Sequence, residues 1–136
     1  MAMNVRIVCP ESLAYEGDAA FLTIPSTDGS MGIASRHASE ICTIDQGFIP
    51  ICDERMGEVS HLFAVGNGYA QVADDKVIIL AERAEDVDVL TREDVETRLK
   101  DFEGKLSNLS ADDASRSYLY NEVAWCKLLL TKVKAA

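Results

Sequence analysis

The sequence predicts an α+β protein: an antiparallel β-sandwich or barrel over residues 1–86, then a two-helix hairpin over residues 87–136. Three observations carry this. Up to residue 81 the apolar residues come in short runs cut by Gly, Pro, Asn and Asp, which is how strands joined by turns are written. From residue 95 they recur at spacings of three and four, the helical pattern. Between the two lies Lys76–Asp88 (KVIILAERAEDVD), where a last strand of five apolar residues gives way to an acidic exit with nothing to bury.

In chain order, Val5, Ile7 and Cys9 alternate with Asn4, Arg6 and Val8 until Pro10 stops the run. Leu13 and Tyr15 repeat the alternation, and Gly17 is expected to turn the chain. Ala19–Pro25 is the next strand, with Ala20, Leu22 and Ile24 on one face. Asp28-Gly29 signals a turn before a very short strand, Met31-Gly32-Ile33. The loop ends at His37, and Ile41, Thr43 and Asp45 resume a strand. Phe48–Asp53 contains Pro50, which cannot donate to a ladder and points to an edge strand or a bulge. Glu58–Val65 alternates, Gly66-Asn67-Gly68 reads as a tight hairpin turn, and Tyr69–Ala73 precedes the last strand. Short strands with turn signals this frequent imply a sandwich or barrel.

Past the seam, Thr91-Arg92-Glu93-Asp94 has the form of a capping box, with Val95, Leu99, Phe102 and Leu106 as a narrow apolar seam behind it. A second helix is expected from Ser110, with Asp112-Asp113 at its positive end, to about Lys134. Leu119, Val123, Cys126, Leu130 and Val133 form its seam, and Tyr118, Trp125, Leu128 and Leu129 widen the apolar surface beyond what one partner helix covers.

Charge excludes some functions. Of the net −10, all falls on residues 1–90, with fifteen Asp/Glu against five Lys/Arg, while residues 91–136 carry eight of each. An acidic sandwich repels phosphate backbones, so no nucleic-acid partner is expected. No apolar run approaches the ~20 residues that span a bilayer, and no signal peptide opens the chain, so a soluble cytosolic protein is expected. Cys9, Cys42, Cys52 and Cys126 have no paired spacing, and His37 and His61 stand alone, so neither disulfide nor metal is expected. No nucleophile elbow, Gly-rich phosphate loop or helical His pair is present, which disfavours an enzyme.

Several motifs in order resemble the epsilon subunit of bacterial F-type ATP synthases. They are Val8-Cys9-Pro10-Glu11 with Tyr15-Glu16-Gly17, Gly29-Ser30-Met31-Gly32-Ile33 with His37-Ala38, Phe63–Tyr69, and Val77–Asp88. The resemblance implies a sandwich of about ten strands at the foot of the central stalk, against the gamma subunit and the membrane c-ring. It also implies a hairpin that inhibits ATP hydrolysis when extended toward the alpha and beta catalytic subunits. On these grounds the protein is expected to be non-catalytic and without cofactor. It is also expected to be peripheral on the cytoplasmic face of the bacterial membrane, without inserting in it. Ser30, Met31, Ile33 and His37 are the implied c-ring contacts. Arg116, Trp125, Lys127 and Lys134 are the implied contacts with gamma and the catalytic subunits. Arg116, Lys127 and Lys134, eleven and seven residues apart, would form a basic stripe on one helix side.

The sequence also departs from the family pattern. Ser30 stands where an acid is common, and Ala34-Ser35-Arg36 and Ser39 lack its two prolines, so a looser loop is expected. A nucleotide, if bound, would meet Asp88, Arg92 and Arg116. Arg92, however, comes one residue later than in the family's Asp-x-x-Arg-Ala signature, which turns it by ~100° on a helix. Weak or no ATP binding is therefore expected. Two other classes are kept: an unrelated binding module with a helical lid, and a Cys-dependent hydrolase or redox protein, which needs a thiol of depressed pKa.

Overall fold

The computed structural model describes residues 2–134. Ten strands among them are β1 (Met3–Cys9), β2 (Ser12–Ala19), β3 (Phe21–Ser26), β4 (Gly29–Ala34), β5 (Glu40–Ile44), β6 (Gly47–Cys52), β7 (His61–Val65), β8 (Gly68–Ala73), β9 (Lys76–Ala81) and β10 (Ala84–Asp86). A 3-10 turn at Val87–Val89 leads to helices α1 (Arg92–Ser107) and α2 (Arg116–Leu130). The chain divides into two compact units, Met1–Asp86 and Val87–Ala136.

In the first unit the strands run in the order β10-β7-β6-β3-β5-β8-β9-β1-β2, with β4 paired to β3 alone. β3 meets β5 through one pair, Ser26 with Ile44, so the sheet folds over there into two layers. Period-2 alternation fills the space between them. Val5 and Ile7 of β1, Leu22 and Ile24 of β3, Ile49 and Ile51 of β6, and Val77 and Ile79 of β9 are all fully buried. Each such side chain contributes roughly 1.5–3 kcal/mol on leaving water, which is what a sandwich of this size lives on.

Five sequence expectations change here. The sandwich is not wholly antiparallel: β1 runs parallel to β9, Asn4 opposite Lys76 through Val8 opposite Leu80. Gly17 does not turn the chain. It pairs with Val5 inside β2, and the Tyr15 ring lies over it where a side chain would stand. Gly66–Gly68 is not a hairpin turn either, because β7 pairs with β6 and β10 while β8 pairs with β5 and β9. It carries the chain from one layer to the other. Pro50 lies in an interior strand, but β3 reaches β6 only at Ile51 and Cys52, so its missing N–H breaks no ladder there. And the acidic exit is structured: Ala84–Asp86 pairs with β7, and Val87 is buried.

In the second unit Thr91 caps α1, its hydroxyl accepting from the Asp94 amide at 3.1 Å. α2 is shorter than its periodicity suggests. Asp112 and Asp113 lie in the preceding turns, where Asp113 accepts from the Ser115 amide at 2.8 Å, an alternative to helix that Asp favours. After Leu130 the chain leaves the helix, so Lys134 is not on it.

Candidate functional site

The four candidate c-ring contacts do not form one patch. Ser30 is exposed beside the tip of the β3–β4 hairpin, and Met31 is half-buried next to it. Ile33 faces the core and is fully buried, so its side chain anchors β4 and meets no partner. That corrects its assignment as a contact. His37 lies past the far end of β4. Ser30 and Ala34 alone are separated by about 13 Å of extended strand. Two separate points, the Ser30–Met31 end of the hairpin and a half-buried His37, therefore replace the one expected surface.

The basic stripe also changes. The Arg116 guanidinium donates to the carbonyls of Leu106, Leu109 and Ser110 at 3.4–3.5 Å and to the Tyr120 hydroxyl at 2.9 Å. It thus covers the negative end of α1. Its place at the start of its own helix, where a cation is mildly unfavourable, is explained by the helix it caps. Arg92 mirrors it. At the first position of α1, it donates to the Leu130 carbonyl at the end of α2, 3.2 Å away, and approaches Glu96 at 3.6 Å. Trp125 is 1% exposed and is therefore closed to an outside partner in this conformation. Lys127 and Lys134 are exposed.

Asp88, Arg92 and Arg116 are likewise not gathered. The carbonyl groups that hold Arg92 and Arg116 belong to opposite ends of the hairpin, and Arg92 and Leu106 are about 21 Å apart along α1. No single nucleotide phosphate chain is cradled by both.

Thiol chemistry finds no support at the two half-buried cysteines. Burial pushes the Cys9 and Cys42 thiols up, the direction opposite to an activated nucleophile, and Glu40 and Asp28 add to it at Cys42. His61 is held by Asp53, Nε2 to Oδ2 at 3.0 Å, under the Tyr15 ring. Burial first, then the carboxylates of Asp53 and Asp18, raises the Tyr15 phenol.

One surface was not legible from alternation alone. On the outer face of β8, β9, β1 and β2 the register sets Tyr69 beside Leu80, Leu80 beside Val8 and Val8 beside Leu13. Tyr69 is 58% exposed, Leu80 50% and Leu13 47%, and Ile41 on neighbouring β5 is 72% exposed. A run such as VIILA gives no sign of which residues face out. The pairing partners that align them come from distant segments.

Residues 2–87 match the family model described as ATP synthase, Delta/Epsilon chain, beta-sandwich domain. The chain belongs to that family. Among delta/epsilon relatives, the ATP synthase epsilon chain of Prochlorococcus marinus is 30% identical over 115 residues, covering 85% of this chain and 84% of that one. That of Rhodospirillum centenum is 29% identical over 118 residues, covering 85% and 81%. A chain from the mitochondrial ATP synthase of Euglena gracilis has the same fold, with a TM-score of 0.72 at 18% identity over 98% of this chain and 82% of that one. A chain of the Tetrahymena thermophila synthase, solved as its central stalk and c-ring, reaches 0.61 at 19% identity over 98% of both. This epsilon-type subunit is thus a sandwich of the family's kind followed by two helices.

Proposed function

We propose that this epsilon-type chain is a non-catalytic rotor subunit that joins the gamma subunit to the c-ring and restrains ATP hydrolysis through its hairpin. The observation that carries the reading is the family's sandwich bearing an uncovered apolar row, Leu13, Tyr69 and Leu80, on one outer face. Scattered apolar residues are normal on a surface, whereas an aligned row across adjacent strands fits a protein partner. Gamma is the partner assigned to it, and the β3–β4 tip, with exposed Ser30 and half-buried Met31, is assigned to the ring. The complex it serves sits on the cytoplasmic face of the bacterial membrane. No helix of the chain is long and apolar enough to cross a membrane.

The brake is assigned to an opened hairpin. As folded, Arg116 is engaged on α1, so it can join Lys127 of α2, and Lys134 beyond the end of that helix, in meeting the catalytic subunits only after the helices separate. Exposed ion pairs contribute roughly 0–1 kcal/mol each, so inhibition should weaken as salt rises. Ending the chain at Asp86 should raise ATP hydrolysis by the complex and leave assembly intact. Leu80→Glu in the full chain should instead weaken co-purification with gamma. Unchanged hydrolysis at low salt, with the shortened subunit bound, would remove the regulatory part of the reading. Unimpaired co-purification of the Leu80 variant would remove the docking part.

A further inference from the structure

The turn after β4 is held by a residue from another part of the sandwich. Ala34–His37 closes on itself through the His37 amide, which donates to the Ala34 carbonyl at 3.1 Å. Arg36, third in that four-residue turn, has φ 67°. Turns with positive φ at that position take Gly or Asn, because a Cβ crowds the backbone there. No proline lies between Pro25 and Pro50 to preset the segment.

Against that strain stands Asp75, on the two-residue turn between β8 and β9. Its Oδ1 accepts from the Arg36 amide at 2.7 Å and from the Ser35 hydroxyl at 3.0 Å. Asp74 and Asp75 have φ 51° and 58°, the conformation in which a tight hairpin prefers glycine at its second residue. The β8–β9 turn by itself therefore has no use for a carboxylate at position 75. Its backbone is tied down separately, since the Asp75 carbonyl accepts from the Asn4 amide at 2.9 Å.

We propose that Asp75 is the positioning residue of the 34–38 turn, holding Arg36 in its left-handed conformation and so fixing where His37 stands. The functional weight of this rests on the reading of the sandwich as a rotor body that docks partners. The contact itself does not. The two hydrogen bonds, that from the Arg36 amide first, hold the Asp75 carboxyl below its ordinary range.

Asp75→Gly separates the two roles, since glycine suits the β8–β9 turn at least as well as aspartate does. In the full chain, free of the synthase, amide exchange at Arg36 should rise roughly tenfold. Tryptic cleavage after Arg36 should speed up by a similar factor, with protection of Ala70 and Val72 retained. Asp75→Asn, which keeps an acceptor and tolerates positive φ, should fall between the two. In an Arg36→Gly background, where the strain is gone, Asp75→Gly should alter exchange at position 36 less. Wild-type exchange and cleavage in Asp75→Gly would overturn the proposal. So would loss of strand protection throughout that variant, because Asp75 would then serve the whole sandwich. None of these readings depends on gamma or the ring, so the clasp and the rotor reading fail separately.

Discussion

A single methyl group at Gly68 would collide with the Leu80 carbonyl of the strand beside it. Gly68 opens β8, paired to Ile44 on one side and Ala81 on the other, so neither neighbour can retreat without breaking a ladder. Gly68→Ala should therefore destabilise the sandwich by about 1–3 kcal/mol, read from the denaturant midpoint. Gly29 is constrained differently: with φ 119° and open space around it, its cost under substitution is backbone strain alone. A midpoint for Gly68→Ala equal to that of the unaltered chain would show that β8 and β9 can part there. The sequence marks Gly66-Asn67-Gly68 as a special stretch, but it shows only that glycine is wanted. That close approach, and not a turn, is the reason lies in Leu80, which is twelve residues away in the chain.

At the scale of elements, the hairpin is fastened at both ends by arginines that each begin one helix and cap the other. Each contributes about 1 kcal/mol, since a cation at a helix C-terminus is worth little more when partly exposed. Arg92→Met with Arg116→Met should lower the hairpin's melting temperature, with the helical signal of the sandwich-free part of the spectrum lost earlier. Adding ATP to the unaltered chain should leave melting unmoved. Micromolar affinity would add about 4 kcal/mol of stability at millimolar ATP, a shift too large to miss. Such a shift would show that Asp88, Arg92 and Arg116 converge after all. The existence of both helices was legible, and their seams only in part. Val95, Leu119, Val123 and Cys126 are buried as their spacing requires, but Leu99, Phe102, Leu106 and Leu130 are half-buried. Trp125 and Leu129 are buried from outside the seam, and α2 is shorter than expected. The arginine partners were not, because spacing places a side chain on a helix face and says nothing of which carbonyl it reaches. The strands show the same division. Alternation found nearly all of them, yet β10 was missed because Ala84–Asp86 has no alternation to read, only the free edge of β7 to complete.

At the scale of the whole molecule, the first unit has its own core, and Ala84–Asp86 belongs to it by pairing with β7. A chain ending at Asp86 should fold as a two-state sandwich with a cooperative thermal transition. A chain ending at Ala81, which drops β10 and leaves the β7 edge open, should be less stable and more prone to associate. If both melt without cooperativity, the two units share one folding transition. The parallel pairing of β1 with β9 sets one further condition on this body. Val5 finds its partner at Val77, about seventy residues later, and no local hairpin can stand in for it. During synthesis the first strand therefore leaves the ribosome with one edge it can satisfy early, through β2, and one it cannot satisfy until nearly the whole sandwich has emerged. For most of translation, the nascent chain carries an open, apolar Met3–Cys9 edge, and this is where a chaperone would be needed.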